Sequence, residues 1–240
     1  MKNRIWYAVI LAVVMLSASC ALLRAGEHIS DEVVARKVAS LLGKEFTPER
    51  ITVTVLDSRL YAEMTGGVIS DIRIDSMKIE ALISNRESVL SDDAEALASL
   101  IGYSKGEMVM LEKDVNEYFA KNESGGFSKL VFDFLPGSFK AEGLFSADFL
   151  FKLRIRLAAN GTLGLASDGI NLSGVAIFIE GVKQPSFITE QIVSGVNPLI
   201  AWRDIPFKVE FKTVTIEDTR AVMSGNPKKF PGGSTAVWKK

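Results

Sequence analysis

The feature that most constrains the fold is a run of alternating residues from Phe145 to Leu157. All seven odd positions in this run are apolar, and five of the six even positions are polar. Successive side chains of a β-strand point to opposite faces, so the pattern predicts a strand with one buried face. As a single strand it would extend about 40 Å, at about 3.3 Å per residue. This length predicts a long, strongly twisted sheet in an elongated domain.

Period-two alternation recurs along most of the chain and predicts a β-rich, antiparallel domain. The apolar positions change phase within 72–83 and again within 207–216, and each change predicts a β-bulge that bends the sheet. Asn160-Gly161 supplies two residues that tolerate positive φ, which predicts the turn of a tight hairpin. The other alternating runs are 51–55, 68–83, 130–139, 163–165, 170–179 and 205–216.

Four segments show helical periodicity or helix boundary signals instead. The first follows Ser30 and Asp31, which can cap a helix, and it ends at Gly43. Its apolar stripe consists of Val33, Val34, Val38, Leu41 and Leu42. The other predicted helices are 91–101, 114–120 and 186–196. The last follows Pro185 and stops before Asn197-Pro198, and the mixture of strands with a few helices predicts an α+β fold.

Residues 1–25 have the organisation of a secretory signal. Two basic residues precede an uncharged, mostly apolar stretch from Ile5 to Leu16, and small residues follow from Ser17 to Ala21. This order predicts export to the periplasm or cell envelope. An alternative is an uncleaved anchor helix, because no charge occurs between Ile5 and Leu23 and such a run can span a thin bilayer.

Cys20, the only cysteine, lies at the end of this segment. An exported chain with one thiol forms no internal disulfide. The surrounding residues resemble a bacterial lipoprotein signal, in which the cysteine is lipidated and anchors the protein to the membrane. They depart from it because Leu16 lies four residues before the cysteine rather than three. Lipidation of Cys20 and ordinary cleavage after Ala18, Ala21 or Ala25 therefore stay open.

The remainder reads as a single elongated domain over 26–225, followed by a flexible tail over 226–240 that is rich in Pro, Gly and Lys. Hydrophobic residues make up 48% of the chain and charged residues 24%, which is typical of a folded protein. The formal net charge of −1 provides no electrostatic attraction for nucleic acid.

The residues needed for common catalytic and metal sites are missing. His28 is the only histidine, so neither a Ser-His-Asp nor a Cys-His arrangement nor a zinc cluster can be assembled around a rigid base. Nucleotide-binding glycine motifs and the nucleophile elbow are absent too. Asp92, Asp93 and Glu95 are interpreted as favourable charges at a helix N-terminus. The sequence therefore predicts a protein with no catalytic residues, metal or cofactor, and an enzyme using carboxylates alone ranks last.

Four stretches, taken in order, resemble the LmeA-like family of envelope phospholipid-binding proteins, which is related to the tubular lipid-binding (TULIP) domains. They are 67–72, 134–137, 196–200, and 205–209 leading into 214–218. The likeness covers most of the chain from about Leu60 onward. It implies a long, strongly curved antiparallel sheet wrapped around one or more amphipathic helices. It also implies an apolar groove that accepts phospholipid tails without chemistry.

On this interpretation, apolar residues of the long strands and of the 186–196 helix line the groove. The predicted groove residues are Phe134, Phe145, Phe149, Phe151, Leu153, Ile155, Phe187, Ile188 and Ile192. Each burial of a methylene contributes about 0.8 kcal/mol, so one long acyl chain gains on the order of 10 kcal/mol, roughly what the bilayer offers. Such a balance suits a lipid carrier or sensor. The alternative for each residue is ordinary core packing.

Lys152, Arg154 and Arg156 form a basic row on the opposite face of the same strand. The row is either a solvated strand face or a contact for anionic headgroups, where each charge adds about 1 kcal/mol. A second hypothesis for the whole protein is a structural or protein-binding envelope lipoprotein without lipid cargo. A packed interior would favour that hypothesis, and a continuous apolar cavity would favour lipid binding.

Overall fold

Two antiparallel sheets form most of the computed structural model, which describes residues 29–92, 95–122, 126–148 and 152–240. Residues 31–240 form one compact unit, and the predicted signal segment with Cys20 lies outside the described residues. The helices are α1 (Asp31–Phe46), α2 (Glu95–Leu100), α3 (Glu112–Lys121) and α4 (Ser186–Val193). The architecture confirms the α+β class. None of the helices in the described ranges is long and apolar enough to cross a membrane.

Along the chain, strands of the first sheet are followed by strands of the second sheet and then by further strands of the first. Those before α3 are β1 (Arg50–Leu56), β2 (Arg59–Ile69), β3 (Ile72–Ile83) and β4 (Ile101–Leu111). Those between α3 and α4 are β5 (Phe127–Leu135), β6 (Ser138–Asp148), β7 (Lys152–Leu165), β8 (Gly169–Ile179) and β9 (Val182–Lys183). The last are β10 (Ile200–Ala201), β11 (Thr213–Glu217), β12 (Arg220–Ser224) and β13 (Ser234–Lys239). Short 3-10 helices occupy Arg86–Leu90 and Trp202–Asp204.

The first sheet has the strand order β11-β12-β4-β3-β2-β1-β13, and α1 packs against β1 and β13. Four of the five residues predicted for the stripe of α1 are buried, whereas Val33 is exposed. The helix does not end at Gly43 but continues to Phe46. Gly43 instead allows the helix to approach Trp238 closely. A Cβ at Gly43 would lie 2.6 Å from Cε2 of Trp238 in β13.

The second sheet has the order β10-β8-β7-β6-β5, with β9 paired to β8. Its register places Phe132, Ala141, Ala159 and Ile177 in one row across four strands. We call the face that carries this row the inner face, and the face that carries Val131 the outer face. The inner face is apolar and largely buried. Its buried members include Phe127, Phe132, Phe134, Phe139, Ala141, Leu157, Leu163, Ile170, Leu172 and Ile177.

The alternating run of residues 145–157 is a hairpin, so the prediction of a single long strand is wrong. β6 ends at Asp148 and β7 begins at Lys152, and the two are antiparallel with Phe145 opposite Ile155. Odd residues therefore face odd residues across the hairpin, and the alternation continues through the reversal unchanged. No glycine, proline or asparagine stands between the two strands to mark it.

The Asn160-Gly161 pair lies inside β7, and the hairpin predicted there is wrong. The register of β7 and β8 shifts between Asn160 and Thr162, and the chain reverses later, between Leu165 and Gly169. Gly161 is required by packing. A Cβ on it would lie 2.9 Å from Cζ of Phe139 and 3.0 Å from a backbone oxygen of β8.

Neither predicted bulge is found at its phase change. The buried positions of β3 do shift between Ile74 and Met77, but its pairing with β2 keeps one register across this point. In both β2 and β3, the buried positions change from even to odd residues beside Gly66, whose φ is 71°. The 205–216 run is not one strand, since β11 begins only at Thr213. The observed register shifts lie at 82–83, 128–131 and 160–162.

Helix boundaries are corrected in two places. The helix predicted over 91–101 is reduced to α2, because Ile101 already begins β4, and α4 stops at Val193 rather than residue 196. The helix predicted over 114–120 is confirmed as α3, with Val115 and Phe119 buried.

Residues 226–240 are not a flexible tail. The segment after β12 crosses the first sheet on the face opposite α1, where Phe230 is buried and the Arg59 guanidinium lies 4.6 Å from its ring centre. The chain then forms β13, which pairs with β1 from Ser234 to Lys239. The β-branched and aromatic residues at 235–238 suit such a strand.

Truncating Trp238 tests this docking of β13. Trp238→Ala is expected to lower the free energy of unfolding by about 2 kcal/mol, roughly half the cost for a fully buried Trp. Val237→Ala is the matched control, because Val237 points to the other face and is 49% exposed. Its expected cost is at most about 0.5 kcal/mol in the same urea titration. Equal effects of the two substitutions would contradict the packing of β13 under α1.

Candidate apolar binding site beneath helix α4

Helix α4 lies over the inner face of the second sheet and is attached to it mainly at its two ends. Before the helix, the amide of Gln184 donates to the carbonyl of Ile177 at 2.8 Å. After it, Asn197 pairs with the backbone of Leu172, accepting a hydrogen bond at 2.8 Å and donating one at 3.1 Å. Within the helix itself, only Thr189 and Ile192 are buried.

A small apolar cavity lies between the inner face and α4. Its volume is about 20 Å³, and none of its lining surface is polar. Such a space holds about one water-sized molecule. The lining residues are Phe127, Leu130, Phe132, Phe139, Ala141, Leu157, Ala159, Leu172, Val175, Ile177, Val193 and Val196.

An open groove of about 500 Å³ runs along one side of α4, between the helix and β8. Its walls combine apolar residues with polar ones such as Ser186, Thr189 and Glu190. Leu172, Val175 and Val193 line both the groove and the cavity. These three side chains therefore form the partition between an apolar interior and solvent.

The inner face becomes progressively exposed toward one end of the sheet. Phe145, Ile155 and Ile179 are half-buried there, and Val182 is 65% exposed. We call these four residues the apolar strip. Phe145 contacts the buried Phe127, with ring centres 5.3 Å apart, so the strip is continuous with the core beneath α4. The apolar strip is therefore a partly exposed extension of the core.

The structure places the predicted groove residues in different environments. Phe134 and Ile192 are buried, Phe145 and Ile155 belong to the apolar strip, Ile188 is half-buried, and Phe187 is 67% exposed. Phe149 and Phe151 and the side chain of Leu153 lie outside what the structure describes.

None of the six described groove residues lines the small cavity. That role falls to residues that the sequence reasoning did not select, among them Phe132 and Phe139 on β5 and β6. Both lie in the predicted run 130–139, which is not one strand because the chain turns between β5 and β6. Phe132 is in phase with the even apolar positions of the run, whereas Phe139 is out of phase with them. The groove residues Val175 and Val193 carry no distinguishing sequence signal.

The predicted basic row lies on the outer face. Arg154 and Arg156 are exposed and point away from α4, and the side chain of Lys152 is not described. Arg156 borders an open depression of about 520 Å³, which is also lined by Lys129, Lys140, Asp133 and Glu142. The row therefore does not face the cavity beneath α4.

The acidic cluster predicted to serve a helix N-terminus is partly described. Glu95 stands in the first turn of α2, as expected, and Asp93 lies outside the described residues. A hydrogen bond from Lys37 of α1 lowers the pKa of Asp92 below its ordinary value. In the described parts of the chain, no three His, Cys, Asp or Glu side chains are grouped to hold a metal ion.

The fold and the site together define a two-sheet α+β protein with an apolar interior beneath one short helix. Comparison of the chain with models of known families, with curated proteins and with solved structures found no match. The resemblance to the LmeA-like family therefore stays a prediction from the sequence.

Proposed function

We propose that this protein is a non-enzymatic phospholipid-binding protein of the cell envelope that holds an acyl chain beneath α4. The observation that carries the proposal is the continuity of the inner face. Apolar residues extend from the buried cavity to the half-exposed apolar strip, under a helix with only two buried side chains. A buried apolar wall with a weakly attached cover suits a ligand that is itself hydrocarbon.

Binding requires α4 to move away from the sheet. The cavity of about 20 Å³ has no room for an acyl chain in the closed arrangement. Elements with few buried apolar contacts open at a lower free energy than the global unfolding reaction. α4 is such an element, because Thr189 and Ile192 are its only buried residues. A hydrogen bond to β8 lies just beyond the end of the helix rather than along it.

The groove beside α4 provides the path into the interior. When α4 shifts, the partition formed by Leu172, Val175 and Val193 separates, and groove and cavity become one space. Each methylene that enters gains about 0.8 kcal/mol, which is close to what it loses on leaving a bilayer. The net balance permits exchange in both directions, as a carrier or sensor needs.

The second candidate is a structural or protein-binding envelope protein without lipid cargo. The nearly filled interior favours it, because a dry, packed core needs no ligand. In that function α4 stays closed, and the apolar strip contacts a protein partner. The two candidates differ in what the purified protein contains.

A carboxylate in the partition tests the lipid proposal. Val175→Asp is expected to reduce the phospholipid that co-purifies with the protein at least about tenfold, because a charge beside the acyl path is costly to desolvate. Lipid is measured by native mass spectrometry and by solvent extraction. Val131→Asp is the control, since Val131 lies on the outer face of the same sheet and is 55% exposed.

The wild-type protein decides between the candidates. Phospholipid in the wild type and the Val131→Asp control, together with its loss in Val175→Asp, supports the proposal. A wild-type protein without lipid, even after incubation with phospholipid vesicles, would refute it and favour the protein-binding function. Equal loss of phospholipid in both variants would contradict binding beneath α4 and indicate another binding site.

A further inference from the structure

The first sheet ends in β13, an edge strand whose outward backbone groups have no partner in the described parts of the chain. The direction of each group follows from the pairing with β1. The amide of Lys240 donates to the carbonyl of Glu49 at 3.3 Å, which continues the register between the two strands. Hydrogen-bonded pairs alternate along an antiparallel ladder, so the even residues of β13 bond to β1. The N–H and C=O groups of Thr235, Val237 and Lys239 therefore point away from β1, toward the open edge.

Other parts of the protein cover the edge strands β5 and β11. The side chain of Asn116 in α3 accepts a hydrogen bond from the amide of Phe132 at 2.6 Å and donates one to its carbonyl at 2.8 Å. Glu112 accepts a hydrogen bond from the amide of Phe134 at 2.6 Å. The strand β11 lies against β5 and β7 of the second sheet. An edge strand without such protection is a template for pairing with another strand, and β13 is left in this state by the residues that the structure describes.

We infer that two copies of this chain pair through β13 in an antiparallel arrangement with two-fold symmetry. The axis passes through Val237, which stands opposite its own copy, and Thr235 stands opposite Lys239 of the second copy. Each strand directs three N–H and three C=O groups outward, so this register forms six hydrogen bonds and leaves none of these groups unpaired. Moving the axis to either neighbouring residue of β13 leaves only four hydrogen bonds between the two strands.

The side chains are self-complementary in the same register. Val237 is 49% exposed and packs against its own copy on the face opposite α1. On the α1 face, Ala236 stands opposite the half-buried Trp238 of the second copy, which pairs a small residue with a large one. The two copies of Lys239 do not face each other, because each stands opposite a threonine. The pairing therefore brings no like charges together across the new interface.

Helix α1 leaves room for a second copy. It packs against β1 and β13, so the two α1 helices of the dimer lie on one face about three strand spacings apart, which is about 14 Å. A helix with its side chains has a diameter of about 10–12 Å. The two seven-stranded sheets then continue into each other. Since each copy contributes one strand of six residues, the interface is small and the association is expected to depend on protein concentration.

The first test uses cysteines in residues 29–240, because residues 31–240 form a compact unit with its own core and the shortened chain lacks Cys20. Val237→Cys is expected to form a disulfide-linked dimer on mild oxidation, since opposed Cα atoms of a hydrogen-bonded pair lie about 5.5 Å apart. Thr235→Cys is the matched control on the same strand. Its copy lies four residues further along, about 13 Å away, and at least about tenfold less dimer is expected on a non-reducing gel.

The second test places charges on the axis. Val237→Lys and Val237→Asp each set like charges opposite each other, so each is expected to weaken self-association at least about tenfold in sedimentation velocity. Mixing the two variants is expected to restore the dimer, because opposite charges then face each other. Val131→Lys is the control, since Val131 lies on the second sheet and is 55% exposed, and it should associate as the wild type does. Thermal unfolding verifies that each variant is folded.

A wild-type protein that stays monomeric up to roughly 1 mM would overturn the inference. Equal cross-linking of the two cysteine variants would overturn it too, and so would a mixture of the two charged variants that associates no better than either alone. The dimer is independent of the proposed function, because β13 belongs to the first sheet and α4 covers the second. Phospholipid in a monomeric protein would leave the proposed function standing, and a dimer that never contains lipid would do the reverse.

Discussion

Phe139→Ala is expected to lower the free energy of unfolding by about 3–5 kcal/mol, the usual cost of truncating a buried phenylalanine. Phe139 is 1% exposed and stands on the inner face of the second sheet. Its ring centre lies 5.4 Å from that of Phe132, and Gly161 on β7 leaves room for it. For a domain of this size the melting temperature would fall by roughly 6–20 °C. Urea titration and thermal unfolding measure the two quantities.

Phe187→Ala provides the matched control. The same side chain is removed, but Phe187 is 67% exposed on α4, so the expected change stays within about 0.5 kcal/mol. Both substitutions lie in the part of the protein proposed to bind lipid. A large loss for Phe187→Ala, or a small one for Phe139→Ala, would contradict the assignment of the inner face as the core.

The contrast between these two residues shows what the sequence could predict about the site. Phe187 was expected in an apolar groove as an apolar residue of the 186–196 helix, yet it is 67% exposed. The run 130–139 did not mark Phe139, which is out of phase with Phe132 and Phe134, yet Phe139 is buried because the chain turns between β5 and β6 and the alternation restarts there. Burial along a strand depends on the local pattern, which the sequence contains. The position of a helix residue over a sheet depends on how the helix is attached, which the sequence does not contain.

Turns were the least predictable part of the fold. Asn160-Gly161 has the composition of a tight hairpin, but the glycine there lets Phe139 approach β7. The chain reverses between Asp148 and Lys152 without a glycine or proline. The reversal leaves no mark in the alternating pattern, because odd residues pair with odd residues across the hairpin. A hairpin whose opposed residues are all odd continues the alternation of one long strand. Only the register between strands distinguishes the two arrangements, and register is a tertiary property.

The last strand, β13, shows another limit of predicting structure from local sequence. Pro, Gly and Lys at 226–233 are typical of a mobile end, and this composition concealed the strand formed by 234–239. Those residues gain order from β1 and α1, which lie almost 200 residues earlier in the chain. Local composition cannot report a partner at that distance. By contrast, α1 and α3 were predictable because their apolar stripes are local.

Ile192→Ala is expected to increase the affinity for a fluorescent phospholipid by about thirtyfold or more. Ile192 is one of the two buried residues of α4, and truncating a buried isoleucine costs about 2–5 kcal/mol. If the acyl chain binds only when α4 is open, the apparent affinity is the affinity of the open state multiplied by the fraction of molecules that are open. Weakening the closed state by about 2 kcal/mol raises that fraction about thirtyfold. Hydrogen exchange of the amides of 186–193 should accelerate by the same factor.

The sign of this effect separates an opening helix from a fixed binding wall. The sequence predicted Ile192 as a direct contact of the lipid, and the loss of a contact lowers the affinity. An increase therefore means that Ile192 mainly holds α4 closed, and a decrease means that the chain binds against it without opening. Ile188→Ala is the control, because Ile188 is half-buried on the same helix and should change both quantities less. Faster exchange of α4 with unchanged lipid affinity would contradict the opening mechanism, since opening would then not limit binding.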